Sequence, residues 1–343
     1  MRGVLVKEYT EFQNRKIEDC PAPTLEPGQL RIRTQAAGVS FATSLMVSGR
    51  YQRKPPLPFV PGTEAAGIVA ELGPDVTGFK LGDRVACVLD WGGLGEETMA
   101  NEVNTFALPD SLEFNRAICF TNSYGTSAAA LTWPHLLNVQ RGETLLVHGG
   151  AGGVGIAAIE IGKILGAKVI ATAGSEEKLA IAKQHGADHV INYREGPFRD
   201  GVLEITQGRG ANAIYDPVGG EVFEQSLRCI APEGRIMPVG FAGGTIQQIP
   251  ANLLLVKNIS VCGLNMGYYY GWSPDDVRHE QGPRMQALLA QLFVWYEAGY
   301  LNPRVSHTFA LDDFQDAMAV VLGRLSQGRV AVVMDGEAKR LGK

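Results

Sequence analysis

Hydrophobic positions change rhythm along the chain. Up to about residue 122, short apolar runs (Gln29 to Ala37, Ala65 to Leu72, Asp83 to Val88) are cut by Pro-Gly, Gly-Pro and Gly-Asp turns. Such punctuation predicts the strands of a small barrel or sandwich. From about Thr144, apolar strands alternate with helical segments, the pattern of parallel βαβ units. Six strands are expected in succession: Thr144 to His148, Lys168 to Thr172, His189 to Asn192, Ala213 to Asp216, Arg235 to Val239 and Ile259 to Leu264. Six parallel strands with intervening helices predict a doubly wound sheet. After Leu264 come a Tyr-rich loop, a helix near Met285 to Glu297, a strand Val305 to Phe309, a helix near Leu311 to Leu325 and a last strand Arg329 to Met334. This tail is expected to pack back on the first domain, giving one domain from 1–122 completed by 266–343 and a second from 123–265.

The length of 343 residues agrees with two domains at roughly 150 residues each. With 45% hydrophobic and 20% charged residues, disorder is excluded as the main theme. A net charge of −5 lacks the basic footprint of a dedicated nucleic-acid binder. Lys7 and Glu8 fall where a secretory signal would need an apolar run, and the long uncharged stretches carry Asn122, Pro134, His135, Gln247 and Pro250. A cytoplasmic protein without membrane spans is expected. Five scattered cysteines, none in a C-x-x-C spacing, read as reduced thiols rather than a disulfide framework or a cysteine zinc site. Glycine is in excess, 42 of 343 residues against a usual share of about 7%, so some part of the chain needs bare backbone.

That need is sharpest at Gly150, Gly152 and Gly155, a G-x-G-x-x-G turn between a predicted strand and a helix beginning near Gly153 and Val154. A tight turn, close approach of a pyrophosphate and close helix packing each exclude a Cβ there. The helix amides would hold the anion. About 20 residues on, where an NAD site carries an acidic residue, this chain has Ala173, Gly174 and Ser175, with Lys178 within the next turn. NADPH is therefore expected over NADH. Glu176 and Glu177 sit in the first turn of a helix capped by Ser175, where the macrodipole favours acids. The DPVGG and VGFAGG segments follow the fourth and fifth strands, at the edge where open α/β sheets bind ligands.

These segments, with PGTEAAGIVAELGPDVTGFKLGDRV upstream, resemble the medium-chain dehydrogenase/reductase superfamily, specifically its zinc-free quinone oxidoreductase, zeta-crystallin-like branch. The resemblance covers nearly the whole chain and is most specific over Gly142 to Lys163. It departs at Glu160, where the branch usually has Gln. It implies a GroES-like β-barrel first domain, a Rossmann second domain that binds NADPH, an active site in the cleft between them, and a homodimer formed by continuing the sheet through Ile259 to Leu264. It further implies that Lys178, Tyr193 and the Gly174 backbone meet the adenosine 2′-phosphate with Arg324 near it. Thr126 would lie near the nicotinamide, and the loops holding Val218, Gly240 and Phe241 would run along the cofactor.

Where the zinc-dependent relatives carry metal ligands, this chain has Ser40, Thr63 and Ile118, so no metal is expected. Without a Lewis acid an alkoxide is unsupported. Acceptors that spread charge over their own conjugation, such as quinones, are then the expected small-molecule substrates, and reductases of activated C=C bonds are the nearest alternative. An RNA-binding or structural crystallin-like role is a non-enzymatic alternative, disfavoured for RNA by the acidic charge. The resemblance puts Tyr51, Thr63 and Ser40 at the acceptor. Tyr51 either donates a hydrogen bond to a developing oxyanion or only shapes the pocket. Tyr268, Tyr269, Tyr270 and Trp272 form pocket wall, dimer contact or exposed loop. His148 reads as a satisfied core histidine, and His135, His185, His189, His279 and His307 show no recognisable partners.

Overall fold

An eleven-residue strand explains how one sheet organises the first of the two units into which the chain divides. The computed structural model describes residues 1–22 and 24–334. Among the described residues the first unit comprises Met1–Asn122, Met266–Glu297 and 303–334; the second comprises Ser123–Asn265 and Ala298–Asn302. In chain order the first unit begins with β1 (Arg2–Leu5), β2 (Lys16–Asp19), β3 (Gln29–Val39), α1 (Phe41–Val47), β4 (Glu64–Leu72), β5 (Arg84–Val88), β6 (Glu97–Asn101), β7 (Thr105–Ala107) and α2 (Phe114–Cys119). β3 changes register against β4 between Arg31 and Ile32 and again between Thr34 and Ala36. Irregularities of this kind bend a strand. Its first half, Gln29 to Arg33, pairs with β6, while its second half faces the final strand of the chain. Leu30 and Ile32 on β3, Val85 and Cys87 on β5 and Val69 on β4 point into one buried core, the period of two expected of a half-buried strand.

A π-helical turn, Phe120–Tyr124, follows α2 and leads into α3 (Gly125–Thr132) of the second unit. There β8 (Thr144–Val147), α4 (Gly153–Ile164), β9 (Lys168–Ala173), α5 (Glu176–Gln184), β10 (His189–Asn192), α6 (Phe198–Ile205), β11 (Ala211–Asp216), α7 (Glu221–Cys229), β12 (Ile230–Pro238), α8 (Ala251–Lys257) and β13 (Ser260–Val261) alternate as the sequence pattern predicts. The sheet order is β10-β9-β8-β11-β12-β13, every pair parallel. Counted within the unit this is 3-2-1-4-5-6, a doubly wound sheet with its order reversing between β8 and β11. Leu145, Leu146 and Val147 have no exposed surface, as expected where helices cover both faces of a parallel sheet. The sixth strand is shorter than Ile259 to Leu264: only Ser260 and Val261 pair with β12, at Arg235 and Ile236.

The chain returns to the first unit with α9 (Met266–Tyr269), α10 (Arg278–Glu297), β14 (Val305–Ala310), α11 (Phe314–Leu322) and β15 (Arg329–Val333). β15 pairs antiparallel with β3, and β14 parallel with β15. The predicted return of the tail is thus made by strands, whose seam buries Phe314, Met318, Val330 and Val332 with Val4, Phe12 and Phe59. Ala298–Asn302 differs from the expected division: it groups with the second unit, where the Asn302 amide donates to Glu160. Residues 335–343 of the expected first domain lie outside the described residues. No helix among those described is long and apolar enough to cross a membrane.

Candidate active site

β8 delivers the chain into the glycine turn, and packing explains two of its glycines, Gly150 and Gly155. A Cβ on Gly150 would stand 2.9 Å from the Ala171 methyl on β9, and one on Gly155 would overlap the Gly149 carbonyl and come within 3.0 Å of the Gly150 Cα. Only bare backbone lets α4 start this close to its own turn. Gly152 is the N-cap, without a side chain to serve the first N–H groups of α4, including those of Gly153, Val154 and Gly155. Those donors and the positive helix end make an anion site. Ser127, one residue after Thr126 on α3, ties this turn to the sheet: its Oγ donates to the Val154 carbonyl at 3.0 Å and accepts from the Tyr215 hydroxyl at 2.9 Å. Sequence reasoning missed this link, because small polar residues in an apolar helix carry no distinctive pattern.

His148, just before the turn, is fully buried between Thr172 Oγ1 and Ser226 Oγ, both at 2.9 Å. Ser226 Oγ already donates to the Val222 carbonyl at 2.7 Å, so it accepts from Nε2–H and Nδ1 accepts from Thr172. Burial pulls the imidazole down to about 4. It is a neutral core group, as its position suggested.

At the end of β9, Gly174 opens a second contact. Tyr193, following β10, donates its amide to the Ala173 carbonyl at 3.2 Å, and its phenol lies so close that a Cβ on Gly174 would meet Oη at 2.5 Å and Cζ at 2.8 Å. Ser175 caps α5, accepting from the Lys178 amide at 3.4 Å. Gly174, Ser175, Lys178 and Tyr193 are therefore brought to one corner of the sheet's carboxyl edge, with no carboxylate among positions 173–175. Glu176, exposed in the first turn of α5, accepts from Asn192 at 3.3 Å.

Two further loops stand on the same edge. Asp216, fully buried at the end of β11, accepts from the amides of Val218 (2.8 Å) and Gly219 (3.0 Å). Gly219 and Gly220 take φ of +73° and +59°, open to glycine at little cost. The loop after β12 leans on this one, Gly243 N donating to Val218 O at 2.8 Å and Ala242 N to Pro217 O at 3.1 Å. Val218, Gly240 and Phe241 thus belong to one interlocked pair of loops.

Ser40, Tyr51, Thr63 and Arg324 belong to the first unit. Ser40 caps α1, accepting from Thr43 N at 3.4 Å. Tyr51 donates its amide to Leu45 O at 3.1 Å and is half-buried, which raises its phenol above the usual value. Thr63 accepts the Leu89 amide on its carbonyl at 2.9 Å. Arg324 follows α11 at φ +56°. No hydrogen bond joins the side chains of Ser40, Tyr51 and Thr63 among the described residues. Ile118 is fully buried, and no group of three or more His, Cys, Asp or Glu among the described residues is arranged to hold a metal ion.

Three buried polar clusters escaped the sequence. Glu64, beside Thr63, pairs with Arg329 across β3, where Gly38 leaves the room; its charge inside the apolar run of β4 was the available signal. Glu160 accepts from Tyr124 Oη at 2.7 Å, from His185 Nδ1 at 2.6 Å and from Asn302 N at 3.0 Å. This corrects the reading of His185 as partnerless: α4 and the C-terminal end of α5 meet, which no local pattern reveals. Tyr270 is buried and donates to Thr121 O at 3.3 Å, whereas Tyr268 is exposed, so the tyrosine cluster divides between core and surface.

Known proteins share this arrangement. Residues 153–279 match the zinc-binding dehydrogenase family model and residues 26–129 the alcohol dehydrogenase GroES-like domain. The chain is 38% identical to bovine (Bos taurus) quinone oxidoreductase-like protein 2 over 92% of its own length and 87% of the relative's. A mycobacterial protein solved in complex with NADPH superposes with a TM-score of 0.87 at 30% identity, covering 97% of this chain and all of that one (100%). Escherichia coli quinone oxidoreductase, solved with NADPH, gives 0.86 at 26% identity over 97% and 100%. Carrying both family domains in order and this level of identity over nearly its full length, the chain belongs to the medium-chain dehydrogenase/reductase superfamily, in its zeta-crystallin-like quinone oxidoreductase branch.

Proposed function

We propose that this protein is an NADPH-dependent quinone oxidoreductase working without a metal ion. The observation that carries the reading is the corner where Tyr193 lies on bare Gly174 beside Lys178, with no carboxylate at positions 173–175 at the end of β9. A ribose bearing a 2′-phosphate suits a lysine and a phenol and would be repelled by the acidic residue of an NAD site. The two solved relatives with bound NADPH support the same cofactor, and the curated relative's name supports a quinone acceptor.

The glycine turn fits the group, since no side chain caps the first turn of α4 and a Cβ on Gly152 would meet only the Gly149 carbonyl, at 3.3 Å. Those amides would hold the pyrophosphate. Gly174, Ser175, Lys178 and Tyr193 would hold the adenosine end, and Thr126, Val218, Gly240 and Phe241 would border the nicotinamide. Bound NADPH supplies a hydride from its nicotinamide C4. Tyr51, Thr63 and Ser40 border the acceptor. Because burial raises the Tyr51 phenol, it stays protonated at neutral pH and donates a hydrogen bond to the oxygen on which negative charge grows. Ser40, Thr63 and Ile118 offer no zinc ligands, so the acceptor's own conjugation must spread that charge. A homodimer would form along β13, the last strand of its sheet, shielding a ladder edge and the exposed Leu255 and Val256 just before it.

Anaerobic stopped-flow oxidation of NADPH tests the reading. A benzoquinone is expected to give a larger kcat/KM than an alkenal. Preference for the alkenal by tenfold or more would overturn the choice of acceptor.

A further inference from the structure

Which quinones enter is a question the surroundings of Tyr51 address, on the reading that this residue borders the acceptor. Tyr51 and Trp91 pack on the same core cluster, with Phe59 and Val60. Arg53 is two residues beyond Tyr51, so their Cα atoms are at most about 7 Å apart. Its guanidinium lies over the Trp91 ring, 5.6 Å from the centroid, and its Nη1 donates to Asp90 Oδ1 at 2.5 Å. From the start of α10, Arg278 Nη2 donates to both Asp90 oxygens at 3.2 and 3.3 Å, and its Nε to Asp276 at 2.8 Å. The Arg278 side chain is 6% exposed and that of Asp90 24%, whereas Asp276 is half exposed at 51%. Asp90 and Trp91 also line a cavity of about 660 Å³ with Phe59, Val60, Leu89 and Thr98, so Asp90 borders open space, whereas Arg53 and Arg278 do not line it. Glu26 and Glu97 line the same cavity, Glu97 being paired with Arg31.

Two guanidiniums therefore converge on one carboxylate, and one of them, Arg53, lies two residues along the chain from Tyr51. We infer that Asp90 is a specificity-determining residue: it offsets one of the two positive charges of Arg53 and Arg278 and so holds down the site's preference for anions, and without it the site would turn toward acceptors bearing a sulfonate or carboxylate. Asp276, half exposed, is screened more than Asp90 and substitutes poorly. At an effective dielectric of about 20, one unit charge about 10 Å from an anionic ligand changes its binding by roughly tenfold.

The test measures kcat/KM for 1,4-naphthoquinone and its 2-sulfonate with wild type, Asp90→Asn and Arg53→Gln, reading only the sulfonate-to-neutral ratio. Asp90→Asn is expected to raise that ratio about tenfold and Arg53→Gln to lower it by a similar factor, both effects shrinking at 0.5 M salt. A merely structural network would depress both quinones together. A ratio unchanged within about twofold in both variants overturns the inference. Arg53→Gln leaves Arg278 with both carboxylates, so its ratio decides if Asp90→Asn does not fold. If wild type reduces neither quinone, the proposed activity itself fails, and this inference with it; that outcome is distinct from an active enzyme with an unmoved ratio.

Discussion

The two units carry their candidate residues in different ways. In the second, the site is made of backbone: amides at the start of α4, bare Gly150 and Gly155 against their neighbours, and loops held by Asp216. In the first, the candidates are side chains, with Ser40, Tyr51 and Thr63 on or beside loops and a charge network of Arg53, Asp90 and Arg278 in the same unit. A backbone site tolerates no added atom, because the cost is steric and immediate. A side-chain site changes its preferences by degrees, because each group contributes a hydrogen bond or a screened charge.

The contrast breaks most visibly if glycine substitutions prove mild. Gly155→Val is expected to cost at least about 3 kcal/mol, roughly 10 °C in Tm, and to abolish NADPH binding; calorimetry with and without cofactor checks both. Next in size is the response of the same unit to acid. His148 takes a proton in the unfolded chain below about 6.5 but resists it in the fold down to about 4. The unfolded state thus binds more protons between those values, and stability falls as pH drops through the window, by up to about 3 kcal/mol. Denaturant unfolding of wild type and His148→Asn at pH 7, 5.5 and 4.5 should show a shallower loss in the variant. Lys178→Ala should weaken NADPH by about 10- to 100-fold, the scale of one charge-assisted contact, and leave NADH nearly unchanged; equal losses by titration would remove Lys178 from the phosphate corner. Glu160→Gln should cost about 1–2 kcal/mol, since one acceptor oxygen of three hydrogen bonds becomes a donor. Its effect should be non-additive with His185→Asn in a double-mutant cycle. The smallest effect sharpens the comparison from the other side: Tyr51→Phe should lower kcat a few-fold and leave the NADPH KM in place, as expected of one neutral hydrogen bond.

The same difference decides what could be read from the sequence. Glycine spacing, strand alternation and the absence of an acid at 173–175 are local signals, so the order of the second unit's elements and its glycine turn between β8 and α4 were legible, as was the return of β14 and β15 to the first unit. Residues that meet only through the fold were not. Glu160 and His185 lie on α4 and at the end of α5, Asp90 and Arg278 on segments far apart in the chain, and Glu64 and Arg329 on strands separated by β3. Nothing in the spacing of such pairs shows that they touch. The length of β13 was overread because apolar residues continue past Val261, whereas pairing with β12 stops there.

The claim on which the rest depends is that the corner built by Gly174, Lys178 and Tyr193 selects a 2′-phosphate. Parallel calorimetric titrations of the wild-type protein with NADPH and NADH address it most directly. One NADPH per chain, bound at least tenfold more tightly than NADH, is the expected result; equal affinity for the two, or tighter binding of NADH, would contradict it.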